Sequence, residues 1–355
     1  MTSMSANFVS SQTLATSLIL PVMQAQSSLT TAVTEESTGQ YADLGLQLGE
    51  QSGYELSLKE EVGQLQTLTS NNSIVSTGLS TAQSALSAIN SSAQTTLNDL
   101  ATWTPGANSG ASLQNMGQSA LQSLIAAANA TSGDEYVFGG INSAVQPMAD
   151  YYSTPASAAK TAIDQAFQTE FGVLPSDPAA ANISASAMQS FLSGPFAALF
   201  QGASWSMHWS QASSTNTSAE IAPGETVTTS TNLNAPGFRE LTQAYAMLSE
   251  FGGSELSSSA QQAVATAASS LVSQGMNSLT NIQGELGSTQ SAVTNANSSM
   301  SSQLTILERQ VDNLDYVNAN ATAAQINSLT NQIQMAYELT SRLQQLNLAQ
   351  YLPVP

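Results

Sequence analysis

Residues 279–352 read LTNIQGELGSTQSAVTNANSSMSSQLTILERQVDNLDYVNANATAAQINSLTNQIQMAYELTSRLQQLNLAQYL, and the fold follows from where the apolar side chains fall. Leu279, Leu286, Val293, Met300, Leu307 and Leu314 recur every seven residues. Ile282, Ala296 and Val317 sit at the offset of three, with Leu304 and Val311 flanking the same seam. After Asn318–Thr322 the pattern restarts with Ile326, Leu329, Ile333, Ala336 and Leu343, and no proline intervenes between Pro236 and Pro353. A stripe two positions wide in every seven demands a partner helix of similar length. The chain, or a second copy of it, must supply that partner.

The segment from Tyr54 to Thr102 supplies one. Leu58, Leu65, Leu79, Leu86, Ala93 and Leu100 repeat at seven, interrupted at Asn72, and Leu68, Val75, Ala82 and Ile89 hold the offset of three. Such a helix extends ~70 Å. Asn72 either fixes register as a buried polar residue in the seam or drifts to the solvent face. Pro105-Gly106 ends the helix. Ser112–Thr131, with Leu113, Met116, Leu121, Leu124, Ile125 and Ala128, is expected to return antiparallel along it. Tyr136, Val137 and Phe138, between glycines, predict a turn or short hairpin.

Composition narrows the function classes. The 355 residues carry 24 acids against 5 bases, a net charge of −19, and only 8% of residues are charged. Lys59, Lys160, Arg239, Arg309 and Arg342 are too few to neutralise a phosphate backbone or an anionic membrane surface. No apolar run reaches the ~18 residues of a membrane span. The chain lacks cysteine, which excludes disulfides and thiolate chemistry. Met1–Ala6 is polar, with no basic region or small-residue cleavage site after it, and does not read as a secretory signal. Leu14, Leu18, Ile19, Met23, Leu29 and Val33 form a loose helical stripe in which Pro21 is expected to kink or restart the helix. Gly39 is expected to cap it in the left-handed conformation.

The middle differs. Seven of the 11 prolines lie between Pro147 and Pro236, as do two of the 3 tryptophans. Ala156–Phe171 and Ser184–Phe200 predict short helices. Alternation around Trp205, Met207 and Trp209 predicts a strand over Ala203–Ser213, and Glu225–Asn232 predicts another. Phe238–Leu248 resumes helical spacing. The fold class expected is therefore mainly α: an elongated antiparallel coiled-coil bundle formed by both chain ends, with a small α+β domain inserted in the middle. Residues 1–40 and 320–355 make a terminal helical domain, 41–145 and 237–319 a long-helix bundle, and 146–236 the insertion.

Four stretches carry a resemblance to a known family. Gln26-Ser27-Ser28-Leu29-Thr30 leading into Thr38-Gly39-Gln40-Tyr41-Ala42-Asp43-Leu44-Gly45 resembles the first terminal helix and following turn of the flagellin-like proteins. Asp134–Asn142 is similar to their Y-x-F-G-G-x-N turn. Leu304–Val317, with Leu307, Asp312, Asp315 and Tyr316, resembles the stretch before their last helix. The ending Gln345–Leu352 is similar to the S-L-x-x-Y-L terminus of the hook–filament junction members. The scarcity of bases and the Pro353-Val354-Pro355 tail depart from the pattern, and the insertion matches no family motif.

The resemblance implies a structural subunit of the bacterial flagellum, exported unfolded without a cleaved signal through the type III channel and assembled outside the cell. It implies terminal helices lining an inner tube, long helices forming the next shell, and an insertion projecting outward. Implied partners are copies of the chain, another hook-associated protein on the hook side, flagellin on the filament side and an export chaperone, with neither nucleic acid nor membrane. The assembly interface expected is Leu14, Leu18, Met23, Leu29, Leu329, Ile333, Leu343, Leu346, Tyr351 and Leu352. The intramolecular seam expected is Leu58, Leu65, Leu79, Leu86, Leu286, Val293, Met300, Leu307 and Leu314. A filament-forming flagellin, a secreted coiled-coil enzyme or effector acting through Pro147–Pro236, and a non-flagellar coiled-coil adhesin remain open alternatives.

Candidate chemistry is sparse. His208 stands alone among Trp205, Met207 and Trp209, with no second imidazole to share a metal. Ser157-Ala158-Ala159-Lys160 matches S-x-x-K without the K-T-G or S-D-N that accompany it in serine acylases. Glu35-Glu36, Glu60-Glu61 and Asp134-Glu135 are adjacent carboxylates, and adjacent positions on a helix do not face each other. The sequence reads as neither an enzyme nor a cofactor binder.

Overall fold

A computed structural model of the chain describes residues 11–106, 109–253 and 255–345. In chain order the helices α1 (Ser11–Thr38), α2 (Leu44–Leu48), α3 (Ser52–Thr102) and α4 (Ser109–Ala128) lead into a tight hairpin of β1 (Thr131–Ser132) and β2 (Glu135–Tyr136). The middle holds α5 (Ala158–Phe171), α6 (Ala185–Phe191), α7 (Gly202–His208) and a second antiparallel hairpin, β3 (Ser218–Ala222) with β4 (Glu225–Thr228). Helices α8 (Pro236–Phe251), α9 (Ser258–Asp315) and α10 (Ala319–Gln345) complete the described chain. The protein is mainly α, with the two small hairpins its paired strands among the described residues. It divides into two compact units, Met1–Gln64 with Ser302–Pro355, and Leu65–Ser301.

Within Leu65–Ser301 the heptad seams meet as antiparallel helices. Asn72 Nδ2 donates to Asn297 Oδ1 at 2.8 Å, Gln83 Nε2 to the Gln283 carbonyl at 2.7 Å, and Asn90 Nδ2 to Gln283 Oε1 at 2.7 Å. Partner numbers on α9 thus fall as those on α3 rise. Between these polar ties Leu79, Leu86, Ile89, Ala93, Leu286 and Val293 are buried, as a seam two positions wide requires.

Helix α8 is the centre of this unit. Twelve of its residues, from Gly237 and Phe238 to Phe251, are buried, so other elements must pack around it. Helix α4 does run back along α3, but its close packing is against α8. At Gly117 a side-chain carbon would come 2.3 Å from the Ser249 nitrogen, so hydrogen is all that fits.

The middle segment shares this core. Phe167 stacks on Phe251 of α8 at 5.2 Å, and Phe191 and Phe196 pack edge-on against the same ring. The sequence expectation fails at Ala203–Ser213, which is not a strand. Gly202–His208 is helical, with Trp205 and Trp209 buried and their rings stacked at 6.1 Å while Met207 is exposed. Residues four apart share a helix face, so one alternation served two periods. Glu225–Asn232 is a strand only as far as Thr228, and its partner β3 carries no strong strand signal.

Candidate assembly site

In the unit made of the chain ends, α1 and α10 lie side by side. Gln26 Nε2 donates to the Tyr337 hydroxyl at 2.7 Å, and Ala32 is buried. Leu29, Leu329 and Ile333 are half-buried. Two helices alone can cover only the facing side of each. Ile19 (56%), Leu20 (62%) and Met23 (58%) on α1, with Met335 (61%) and Leu339 (46%) on α10, remain exposed. Each such side chain gains about 1.5–3 kcal/mol when fully buried. Leu14, Leu18 and Leu343 belong to these helices, but their side chains lie outside the described residues, as do Leu346, Tyr351 and Leu352 altogether.

The turns entering and leaving these helices clasp each other. Gly39 takes φ 74° and its N–H donates to the Glu35 carbonyl at 2.8 Å, closing α1. A residue with a side chain resists that left-handed geometry. The freed backbone then pairs: Tyr41 N–H donates to the Asp315 carbonyl and Val317 N–H to the Gly39 carbonyl, both at 3.0 Å. Glu35 Oε1 accepts from the Ala42 amide at 3.1 Å, and Asp43 caps α2 through the Leu46 amide at 2.9 Å. Two sequence signatures about 275 residues apart thus form one antiparallel bridge, Gln40 to Tyr316.

One cation secures the clasp. Lys59 Nζ lies 2.7 Å from Asp315 Oδ2 and also pairs with Glu55. Both carboxylates are buried, Asp315 at 4% and Glu55 at 8% exposure. The hydrogen bonds to Asp315 and Glu55 raise the Lys59 ammonium above its ordinary range.

Of the expected seam residues, Leu58, Leu65, Leu79, Leu86, Leu286, Val293 and Met300 are buried, and Leu307 and Leu314 are half-buried. Asn72 is fully buried rather than solvent-facing. Its Nδ2 also donates to the Ile221 carbonyl of β3 at 2.7 Å, so one amide ties α3 to α9 and to the middle segment. The Gly139-Gly140 turn makes a second tie. Gly140, at φ 61°, passes so close to residues 213–215 that a side-chain carbon would meet the Thr215 carbonyl at 2.6 Å. Ser213 N–H donates to the Gly139 carbonyl, Ile141 N–H to the Thr215 carbonyl and Leu233 N–H to the Phe138 carbonyl.

The chemical candidates resolve into structure. Ser157 caps α5, its Oγ accepting from the Lys160 amide at 3.1 Å while donating to the Tyr151 carbonyl at 2.9 Å. Lys160 Nζ turns instead to Glu250 at 2.7 Å and Asp164 at 3.5 Å. Burial lowers the basicity of that ammonium, but the carboxylates of Glu250 and Asp164 together outweigh it and the net shift is upward. His208 is half-buried beside the tryptophans, its Nδ1 without a hydrogen-bond partner. Among the described residues no group of three His, Asp or Glu side chains is placed to hold a metal.

Comparison with known proteins agrees with this arrangement. Residues 9–143 match the bacterial flagellin N-terminal helical region and residues 269–352 the bacterial flagellin C-terminal helical region. No curated protein matches the chain. A solved structure provisionally assigned as a flagellar hook-associated protein from Vibrio parahaemolyticus shares the fold at TM-score 0.50 and 12% identity, over 75% of this chain and 97% of that one.

Proposed function

This chain belongs to the flagellin-like family, and from that premise we propose that this flagellar structural protein is the subunit joining hook to filament. The observation that carries the reading is the clasped pair α1 and α10, which leaves Ile19, Leu20, Met23, Met335 and Leu339 uncovered. Further copies of the chain would bury these residues in a tube wall. Leu14, Leu18, Met23 and Leu29 on one helix, and Leu329, Ile333, Leu343 and Leu346 on the other, are the contacts we assign to that wall, with Tyr351 and Leu352 at its end. Residues 1–40 and 320–355 form the assembling part, 41–145 and 237–319 the supporting helices, and 146–236 an inserted outer α+β segment resting on the same core. One end of the ring receives another hook-associated protein and the other receives flagellin. Export through the type III channel with a chaperone, and placement outside the cell, follow from that role.

The name of the Vibrio neighbour and the similarity of the C-terminal stretch to junction proteins favour the junction over the filament. A fluorescent tag placed in the middle segment tests this on motile cells. Label confined to the boundary between hook and filament is expected. Label along the whole filament, or micrometre-long filaments from the purified protein alone, assigns the chain to the filament instead.

A further inference from the structure

The chain sets 24 acids against 5 bases, and the bases differ in their company. Lys59 and Lys160 each pair with two carboxylates. Arg309 and Arg342 are exposed to solvent. Arg239 is half-buried, yet its guanidinium has neither an ion pair nor a hydrogen bond among the described residues. Its Nε is closed off from solvent without an acceptor. An enclosed donor left open is destabilising, and more so when it carries charge.

Arg239 stands at the opening of α8, which is built without a cap. Ala235 offers no side-chain acceptor at the N-cap, and Pro236 follows in the first turn. The N–H groups of Gly237 and Phe238 have no acceptor among the described residues. The aligned peptide dipoles add partial positive charge at this same end. A pocket of about 220 Å³ opens here, lined by Phe200, Gln201, Pro236, Arg239, Glu240 and Gln243. Gln243 is only 9% exposed, and its side-chain amide makes no hydrogen bond among the described residues. A buried amide normally has a partner. Glu240 is the opposing charge, but its Oε2 accepts from the Ser278 hydroxyl of α9 at 2.9 Å.

We propose that this pocket binds a carboxylate, with Arg239 supplying the charge and Gln243 a second donor. A guanidinium fork matches the two oxygens of a planar carboxylate, and the ligand would supply the acceptors that Arg239 and Gln243 lack. Phe200 and Pro236 offer apolar contact to its carbon atoms. Glu240 and the net charge of −19 repel a dianion such as phosphate more strongly than a single carboxylate. The volume admits a short carbon skeleton rather than a polymer. The same chemistry has two sources, a free short-chain acid or an Asp or Glu side chain of a neighbouring copy. Only the second source rests on the assembly reading.

The test uses the full chain with propionate and the α-amide of N-acetylglutamate as probes, and propionamide and inorganic phosphate as controls at matched ionic strength. NMR shifts of the Gly237 and Phe238 amides and of the Gln243 side chain report binding. Saturable shifts in the millimolar range are expected with a carboxylate probe. Tighter binding of the capped glutamate assigns the site to a protein side chain, and tighter binding of propionate to a free acid. Arg239→Gln and Gln243→Leu should weaken binding about tenfold or more. Arg239→Lys, which keeps the charge without the fork, should weaken it less and serves as the variant if Arg239→Gln does not fold. Absence of a saturable shift with both carboxylates overturns the proposal. So does equal binding of propionamide, tighter binding of phosphate, or Arg239 variants that bind like the parent.

Discussion

Gly39 and Tyr316 lie in contact, with the nearest ring carbon of Tyr316 3.6 Å from where a side chain on Gly39 would begin. Space there is ordinary, so the constraint at Gly39 is conformational rather than steric. Gly39→Ala therefore loses about 1–2 kcal/mol through the left-handed backbone alone. Gly39→Asn, which tolerates that conformation better, loses less. Thermal unfolding of the two variants should rank them in that order; equal stability would refute the cap.

Replacing Lys59 by Met leaves Asp315 and Glu55 buried without their cation. Lys59 itself is 44% exposed at its side chain, so solvent screening trims the loss to about 1–3 kcal/mol. The pH dependence has a definite sign. The folded state holds the proton more tightly than the unfolded chain, whose value is near 10.5. The contribution is therefore complete below pH 10.5 and fades as pH rises through the folded value. The gap in melting temperature between parent and Lys59→Met should be constant from neutral pH to about 10 and close above it.

Asn72→Leu removes a fully buried amide that serves Asn297 and the Ile221 carbonyl. Both partners lose a bond, at a cost of about 1–3 kcal/mol. Asn72→Leu with Asn297→Leu should recover part of the loss, because an apolar pair restores the seam but not the tie to β3. Denaturant midpoints of the single and double variants measure this directly.

Amide exchange tests the assembly reading. In the free chain, amides of α1 and α10 up to Gly39 and beyond Asn320 should exchange fastest, since their uncovered stripes leave each helix weakly held. In the assembled flagellum the same amides should become slow. Ile333→Asp should abolish incorporation while the ring-current shifts of the Phe167–Phe251 cluster stay unchanged. Normal filaments from that variant would remove α10 from the wall.

The long helices were legible because seven-residue spacing persists over Leu58–Leu100 and Leu279–Leu314 with few interruptions. Gly39 was legible as a cap for the same local reason. The strand over Ala203–Ser213 was misread because Trp205 and Trp209 satisfy a two-residue and a four-residue period alike, and only the exposure of Met207 separates them. The clasp was half legible. Both segments stood out, but no local rule states that Tyr41 bonds to Asp315 across the whole chain. The role of Asn72 depended on Ile221, 149 residues away.

The carbonyls of Gly139 and Phe138 hold Ser213 and Leu233, so the middle segment is sewn to the turn that follows β2. Anyone transplanting that segment between related proteins must cut inside those stitches. A chimera that leaves 211–235 with the host chain keeps its folding scaffold, whereas an exchange made at the sequence boundaries alone cuts these backbone ties.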